Sequence, residues 1–330
     1  MRPQNKGIME RSLTLLAQCR ITFRIIMTRT KSPATPWSRR KFGRALVLAG
    51  AASLTWPGDR LLAASQWTCP VGACSSVENW PALKKAGADY VEDSVGRLLK
   101  PNAPEAEIAK VLEALRTNAI PVPVCNGFLP GDLKLVGAEA RHDAVIEYAT
   151  KAFERAKKVG IGIIVLGSGG ARKVPDGFDR AKAEEQFIAI LKRLGAAAEP
   201  FGVTVAMESL NRGETNFGNA LRDCLRYVNA ADHPRVKLVA DLYHMMRENE
   251  GPDAILEAGS RIVHVHLAEK AKRTPPGTAG DDFKPYIAAL KKVGFSGRMS
   301  LECNWMDFNV EVGPGLAAFK AQLATVSAAS

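Results

Sequence analysis

Ile161-Gly162-Ile163-Ile164-Val165-Leu166, followed by Gly167-Ser168-Gly169-Gly170, is the stretch that decides the architecture of this chain. Its apolar run does not alternate with polar residues, as a strand with one wet face would. It reads as a strand buried on both faces, the condition of a parallel sheet covered by helices. The turn that follows separates two rival folds. A doubly wound nucleotide-binding sheet would carry Gly-x-Gly-x-x-Gly or a Gly-Lys-Ser/Thr ending after such a strand, and neither is present. The glycines are then expected to form a flexible loop at a barrel mouth.

Seven similar runs flank this one: Trp67–Gly72, Ala88–Val91, Ile120–Cys125, Val203–Met207, Val236–Ala240, Ile262–Leu267 and Met299–Cys303. Helical stretches separate them. Ala138–Lys158 has apolar residues at helical spacing and stops at Gly160, Asp179–Leu194 opens on an N-cap residue, a further helix starts near Pro104, and Pro285–Val293 ends at Gly294. Eight strands, each followed by a helix and with no linker between, predict an α/β fold: one (β/α)₈ TIM barrel over residues 65–330.

The chain has 330 residues and a net charge of +11, which would suit a polyanion partner if the charge were spread over a binding face. It is not. The charged side chains of residues 1–60 are all basic except Glu10 and Asp59, so the barrel segment is close to neutral. Nucleic-acid binding loses its electrostatic support. Within the leader, Ser38-Arg39-Arg40-Lys41-Phe42 precedes the apolar run Ala45–Leu54, too short to span a bilayer permanently. This is expected to be a twin-arginine export signal, removed with residues 1–64, leaving a periplasmic or otherwise exported protein without a stable membrane span. An oxidising compartment would allow one disulfide, but no Cys-x-x-Cys occurs, and Cys125, Cys224 and Cys303 read as small buried hydrophobes.

In a barrel of this kind, chemistry is built at the carboxyl ends of the strands. Four consecutive strands end on, or carry near their end, a metal-capable side chain: Glu208, Asp241, His266 and Glu302. A charged group at the end of an apolar strand is costly to desolvate, so four at one mouth call for a shared cation. Three carboxylates and an imidazole suit one hard divalent ion, Mn²⁺ first, with Mg²⁺, Co²⁺ or Zn²⁺ as alternatives. His264 lies two residues before His266 and faces the same side, as a barrel-interior group or a support for the ligand. Glu92 and Asn126, at the ends of the second and third runs, are expected either to touch a substrate or to serve as caps and salt-bridge partners. Trp305 could wall the pocket; His142 and His233 are expected outside it.

Glu208-Ser209-Leu210-Asn211-Arg212-Gly213-Glu214, Asp241-Leu242-Tyr243-His244, His264-Val265-His266, Pro275-Pro276-Gly277 and Ser300-Leu301-Glu302 resemble the xylose-isomerase-like TIM barrel family, in particular its D-tagatose 3-epimerase-like branch. The resemblance implies that Glu208, Asp241, His266 and Glu302 hold the metal and that Glu208 and Glu302 are also the acid/base pair. It further implies that Glu214 and His244 hold substrate hydroxyls, a role to which Lys272 or Arg273 would add a basic group.

The implied function is that of a sugar or keto-sugar isomerase/epimerase working by proton abstraction through a metal-stabilised enediolate. A lyase or hydratase acting on 3-keto-glycosides or derived unsaturated sugars is the alternative within the same chemistry. A non-catalytic exported sugar-binding barrel is the alternative outside it. An abasic-site endonuclease with a trinuclear zinc centre is disfavoured, because no histidine stands on the second or third strand. Association into a homo-oligomer stays open.

Overall fold

The computed structural model describes residues 67–329. The expected leader, its twin-arginine motif and the boundary at residue 65 lie outside the described residues. Eight parallel strands form the barrel: β1 (Val71–Cys74), β2 (Val91–Ser94), β3 (Val124–Asn126), β4 (Ile163–Leu166), β5 (Thr204–Glu208), β6 (Val236–Asp241), β7 (Ile262–Leu267) and β8 (Arg298–Leu301). Each pairs with the next, and β8 pairs with β1 to close the ring, so no strand edge is left open.

Around them run α1 (Trp80–Lys85), α2 (Glu105–Arg116), α3 (His142–Val159), α4 (Gly169–Arg172), α5 (Arg180–Ala198), α6 (Leu221–Ala231), α7 (Leu242–Arg247), α8 (Asp253–Ala258), α9 (Lys284–Lys292) and α10 (Phe308–Ala328). Local chemistry sets their ends. The Asp179 side chain accepts from the backbone N–H of Lys182 to start α5, and Gly160 takes the left-handed conformation (φ 82°) that ends α3. Among the described residues no helix is long and apolar enough to cross a membrane, and Cys69, Cys74, Cys125, Cys224 and Cys303 are free thiols.

The first three strands begin later than the apolar runs suggested. β2 contains Glu92, Asp93 and Ser94, so a reading that ends a strand at its first charge stops one residue into it. Asp93 faces outward, accepting from the Val77 N–H at 2.7 Å and pairing with Arg97, while Glu92 faces the lumen. Strand β3 is short because Pro121 and Pro123 have no N–H to give the ladder; their carbonyls still accept, from Val91 and Gly162. The glycine turn after β4 is packed, not a flexible loop. Ser168 sits at φ 42° and its hydroxyl accepts from the Leu129 N–H at 2.9 Å, and α4 begins at once.

The barrel lumen is divided. Val124, Val165, Ala206 and Val239 fill the side made by β3–β6 as a small apolar cluster, whereas β1, β2, β7 and β8 enclose Tyr90, Glu92, His264, His266 and Ser300. The outer core between strands and helices is mainly apolar and includes Phe187, Phe217 and Tyr227, the last two stacked at 5.2 Å. Gly72 makes the polar half possible: a Cβ there would lie 2.6 Å from the Tyr90 carbonyl and 2.7 Å from its ring. Gly72→Ala is therefore expected to lower stability by about 1–3 kcal/mol, because backbone lies on the other side of the contact and cannot give way. A urea melt should show the midpoint falling with its slope unchanged.

Candidate metal centre and active site

Side-chain alternation along the strands carries Glu208 from β5, Asp241 from β6 and His266 from β7 to one spot at the carboxyl end of the lumen, where Glu302, just past β8, joins them. One ligand atom from each of the four lies within 4.8 Å of the others. His266 is the hub: its Nδ1 is 2.6 Å from Glu208 Oε1, 3.3 Å from Glu302 Oε2 and 3.9 Å from Asp241 Oδ2. Arg273 pairs with Glu302 from the mouth and reaches to 3.9 Å of Asp241 Oδ2.

The charges are poorly matched by the protein alone. Burial, reinforced by neighbouring carboxylates, raises the Glu208 and Asp241 carboxyls above their ordinary range. Burial works against Glu302 ionisation too, but His266 and Arg273 outweigh it and hold that carboxyl low. Burial would also discharge His266, yet the carboxylates around it keep its imidazole charged well above the usual range. Asp241 Oδ1 accepts from the His244 backbone N–H at 2.9 Å, whereas its buried Oδ2 has no hydrogen-bond partner. An orphaned carboxylate oxygen facing three other ligand atoms is what a cation site requires. The donor set, three carboxylates and one imidazole nitrogen, fits a hard divalent ion.

His244 and Glu214 stand beside the quartet. His244 Nδ1 receives two N–H donors of Asn211, from the backbone at 3.1 Å and from the side-chain amide at 2.8 Å, so that nitrogen carries no proton. Burial lowers the His244 pKa, and the neutral ring must then bear its proton on Nε2. That N–H is buried and unpartnered, 3.8 Å from Asp241 Oδ2 and 3.9 Å from Glu214 Oε2: a donor awaiting an acceptor at the site.

Lys272 and Arg273 are adjacent residues in the left-handed conformation (φ 58° and 59°), yet they part company. Arg273 turns inward onto Glu302, Glu214 and the Tyr243 ring, and Lys272 is exposed with only its backbone carbonyl engaged, by Asn304. Glu92 differs from the expectation of a substrate contact. It is fully buried, and both oxygens are taken up by His264, His266 and Ser300 below the quartet. Cys74, Glu92 and His266 also bring ligand atoms within 4.8 Å, but both Glu92 oxygens are already taken by hydrogen bonds to His264, His266 and Ser300. Asn126 donates to Glu302 Oε1 at 3.0 Å, and Trp305 packs edge-to-face on Phe308. His142 contacts the Leu135 carbonyl and His233 lies against Gly195, both away from the quartet.

Three supporting residues escaped the sequence reading. Arg172 is fully buried and donates to the Glu208 carbonyl at 2.6 Å; a basic residue two after a glycine pair gives no signal for that. Glu269, three residues after His266, gathers the N–H groups of Gly277, Gly280 and Asp281 at 2.8, 2.9 and 3.3 Å and the Thr274 hydroxyl at 3.1 Å, fixing the loop that carries Arg273. The third, Gly167, was visible as a glycine but misread as slack. A Cβ at Gly167 would collide with Glu208 Oε2.

The family described as "Xylose isomerase-like TIM barrel" matches residues 80–326. The L-ribulose 3-epimerase of Methylomonas sp. (strain DH-1) is 28% identical over 261 residues, covering 77% of this chain and 83% of the relative. The 3-dehydro-D-guloside 4-epimerase of Escherichia coli (strain K12) is 26% identical over 235 residues, covering 68% of this chain and 86% of the relative. The crystal structure of D-psicose 3-epimerase with D-tagatose from Clostridium cellulolyticum H10 shares the fold, with a TM-score of 0.69 at 20% identity over 77% of this chain and 99% of that one.

Gly167→Ala is expected to displace the Glu208 carboxylate while leaving the barrel folded. Circular dichroism should be unchanged, and the affinity for added Mn²⁺, read by calorimetry, should fall at least about tenfold.

Proposed function

The chain belongs to the xylose isomerase-like TIM barrel family, and we propose that it is a divalent-metal-dependent isomerase that moves a proton on the carbon next to a sugar carbonyl, epimerising or isomerising a ketose or keto-sugar. One observation carries this reading: Glu208, Asp241, His266 and Glu302 converge with an Asp241 oxygen that no protein group satisfies. Both relatives described above are named as epimerases of keto-sugars.

Glu208, Asp241, His266 and Glu302 would hold the ion, most simply Mn²⁺. Its contribution is Lewis-acid stabilisation of the negative charge that develops on the substrate's oxygens. The remaining work falls to side chains. Glu208 and Glu302 both reach His266 Nδ1, at 2.6 and 3.3 Å, so two carboxylates flank one spot: in this reading one removes the proton from the substrate carbon and the other returns one from the opposite face, inverting the centre. Asn126 and Arg273 occupy the two oxygens of Glu302 and fix its orientation. The His244 Nε2–H donates to a substrate hydroxyl, and Glu214, 40% exposed at the rim, accepts from another. Arg273, packed on the Tyr243 ring, closes the mouth and offers a cation to substrate oxygens.

Export through the twin-arginine route, proposed from residues 38–54 alone, would favour an unphosphorylated substrate. No cluster of basic side chains stands at the described site beside Arg273 to receive a phosphate.

The test is metal analysis of the purified protein, then incubation with ketoses and 3-keto-glycosides in deuterated water. Deuterium should enter at the carbon beside the carbonyl, vanish on chelation and return with Mn²⁺. Glu208→Gln and Glu302→Gln should each slow exchange by about 10²–10⁴-fold. Product with an inverted centre identifies epimerisation; an unsaturated product identifies the lyase chemistry instead. Absence of exchange into every sugar by the metal-loaded protein would sink the catalytic reading and leave a binding barrel.

Acidity supplies a second check. In the metal-free protein the raised His266 pKa keeps a proton on Nδ1 that must leave when a cation binds. Affinity for Mn²⁺ should therefore weaken as pH falls, up to about tenfold per unit while that proton competes, with proton release measurable by calorimetry in buffers of different ionisation enthalpy.

A further inference from the structure

Below the quartet lies a hydrogen-bonded group that the proposed chemistry leaves unused. Glu92 Oε1 is 2.9 Å from His266 Nε2, and Glu92 Oε2 is 2.8 Å from His264 Nε2 and 2.6 Å from Ser300 Oγ. Tyr90 lies behind Ser300, their hydroxyl oxygens 2.7 Å apart. All these residues except the edge of Tyr90 are sealed from solvent. The proton positions follow from counting. His264 Nδ1 is buried without a partner, so the neutral ring carries its proton on Nε2 and donates it to Glu92. Ser300 donates its hydroxyl proton to Glu92 and accepts from Tyr90. With donors of His264 and Ser300 on one oxygen and that of His266 on the other, Glu92 is an acceptor only, which is to say a carboxylate.

We propose that Glu92 is a positioning residue for the metal centre, holding the Nε2–H of His266 so that Nδ1, once it has given up its own proton, turns its lone pair to Glu208, Asp241 and Glu302. The inference rests on the metal reading above. A carboxylate bonded to the far nitrogen of a ligand imidazole fixes the ring's rotation and makes the near nitrogen a stronger donor. Here both ring nitrogens have assigned directions, 2.6 Å to Glu208 on the mouth side and 2.9 Å to Glu92 on the lumen side, so rotating the ring would break both contacts. Ser300 and His264 hold Glu92 in turn, and Gly72 leaves the space that Tyr90 needs to hold Ser300. Glu92 touches no substrate in this scheme; it acts through His266.

The experiment is calorimetric titration of the full chain with Mn²⁺ alone, for the wild type, Glu92→Gln and Ser300→Ala, beside thermal melts of each metal-free protein. In Glu92→Gln the amide must present an N–H₂ to a donor whichever way it is turned, and the Mn²⁺ dissociation constant is expected to rise about 10–100-fold. Ser300→Ala keeps the carboxylate and removes one donor, with an expected rise of about fivefold. A merely structural role would lower the melting temperatures and leave the dissociation constants alone.

Wild-type affinity in folded Glu92→Gln overturns the inference. Should that variant not fold, wild-type affinity in Ser300→Ala does so. Failure of the wild-type chain to bind Mn²⁺ overturns the metal reading and this inference with it. Tight binding by the wild type together with unchanged binding by the variants overturns this inference alone.

Discussion

The molecule depends on the cost of keeping carboxylates out of water. Glu92, Glu208, Asp241 and Glu302 share the upper half of one narrow lumen, where an unpaired charge is strongly disfavoured. The protein meets that cost in two ways. Glu92 is surrounded by donors and is complete within the chain. The other three have His266, Asn126, Arg273 and the backbone N–H of His244 among them, and Asp241 Oδ2 has nothing at hydrogen-bond distance. The chain thus satisfies the lower layer and leaves the upper one short of positive charge, and that shortage marks where a cation belongs.

The division of the lumen follows from it. On the β3–β6 side the barrel is filled by valines and an alanine, which need no partners and give no chemistry. On the opposite side the layer must be polar to serve His266, and each polar group obliges another: Glu92 requires donors, Ser300 needs a partner for its own oxygen, and Tyr90 needs the volume that Gly72 leaves. Half-satisfied networks of this kind are worse than an apolar core, so these residues are coupled as a set.

Much of this was legible in the sequence, for a definite reason. In a buried parallel strand nearly every residue is apolar, so a carboxylate or imidazole at its end stands out, and Glu208, Asp241, His266 and Glu302 did. The closed eight-strand barrel followed from the same runs. What could not be read was direction. Glu92 also ends an apolar run, but whether such a group looks toward the mouth or into the lumen depends on register: Glu92 pairs with Cys74 and Val124, one layer below the mouth. Lys272 and Arg273 offered equal claims, and only the left-handed backbone of that loop sends one inward and one to solvent. Arg172 and Glu269 were silent because their partners are mainly backbone groups, which leave no trace in composition.

The two layers separate what a reaction of this type must hold constant from what it can vary. In the proposed reaction the cation and the Glu208–Glu302 pair must be held rigidly, and the groups that would secure them, Glu92, Ser300, Gly167 and Arg172, are buried beneath or behind the quartet. In the same reading, choice of sugar, and of the carbon that receives the proton, would fall to groups above it: the Nε2–H of His244, Glu214 and Arg273, all borne on loops or helix starts beyond the strand ends. Arg273 stands at the junction. It bonds to Glu302 and packs on Tyr243, while its loop is tied down by Glu269, just past the end of β7. In the proposed reaction a substrate that pulled Arg273 outward would also loosen Glu302, so contact with the sugar at the rim would be coupled through this side chain to the orientation of one of the two proposed proton carriers.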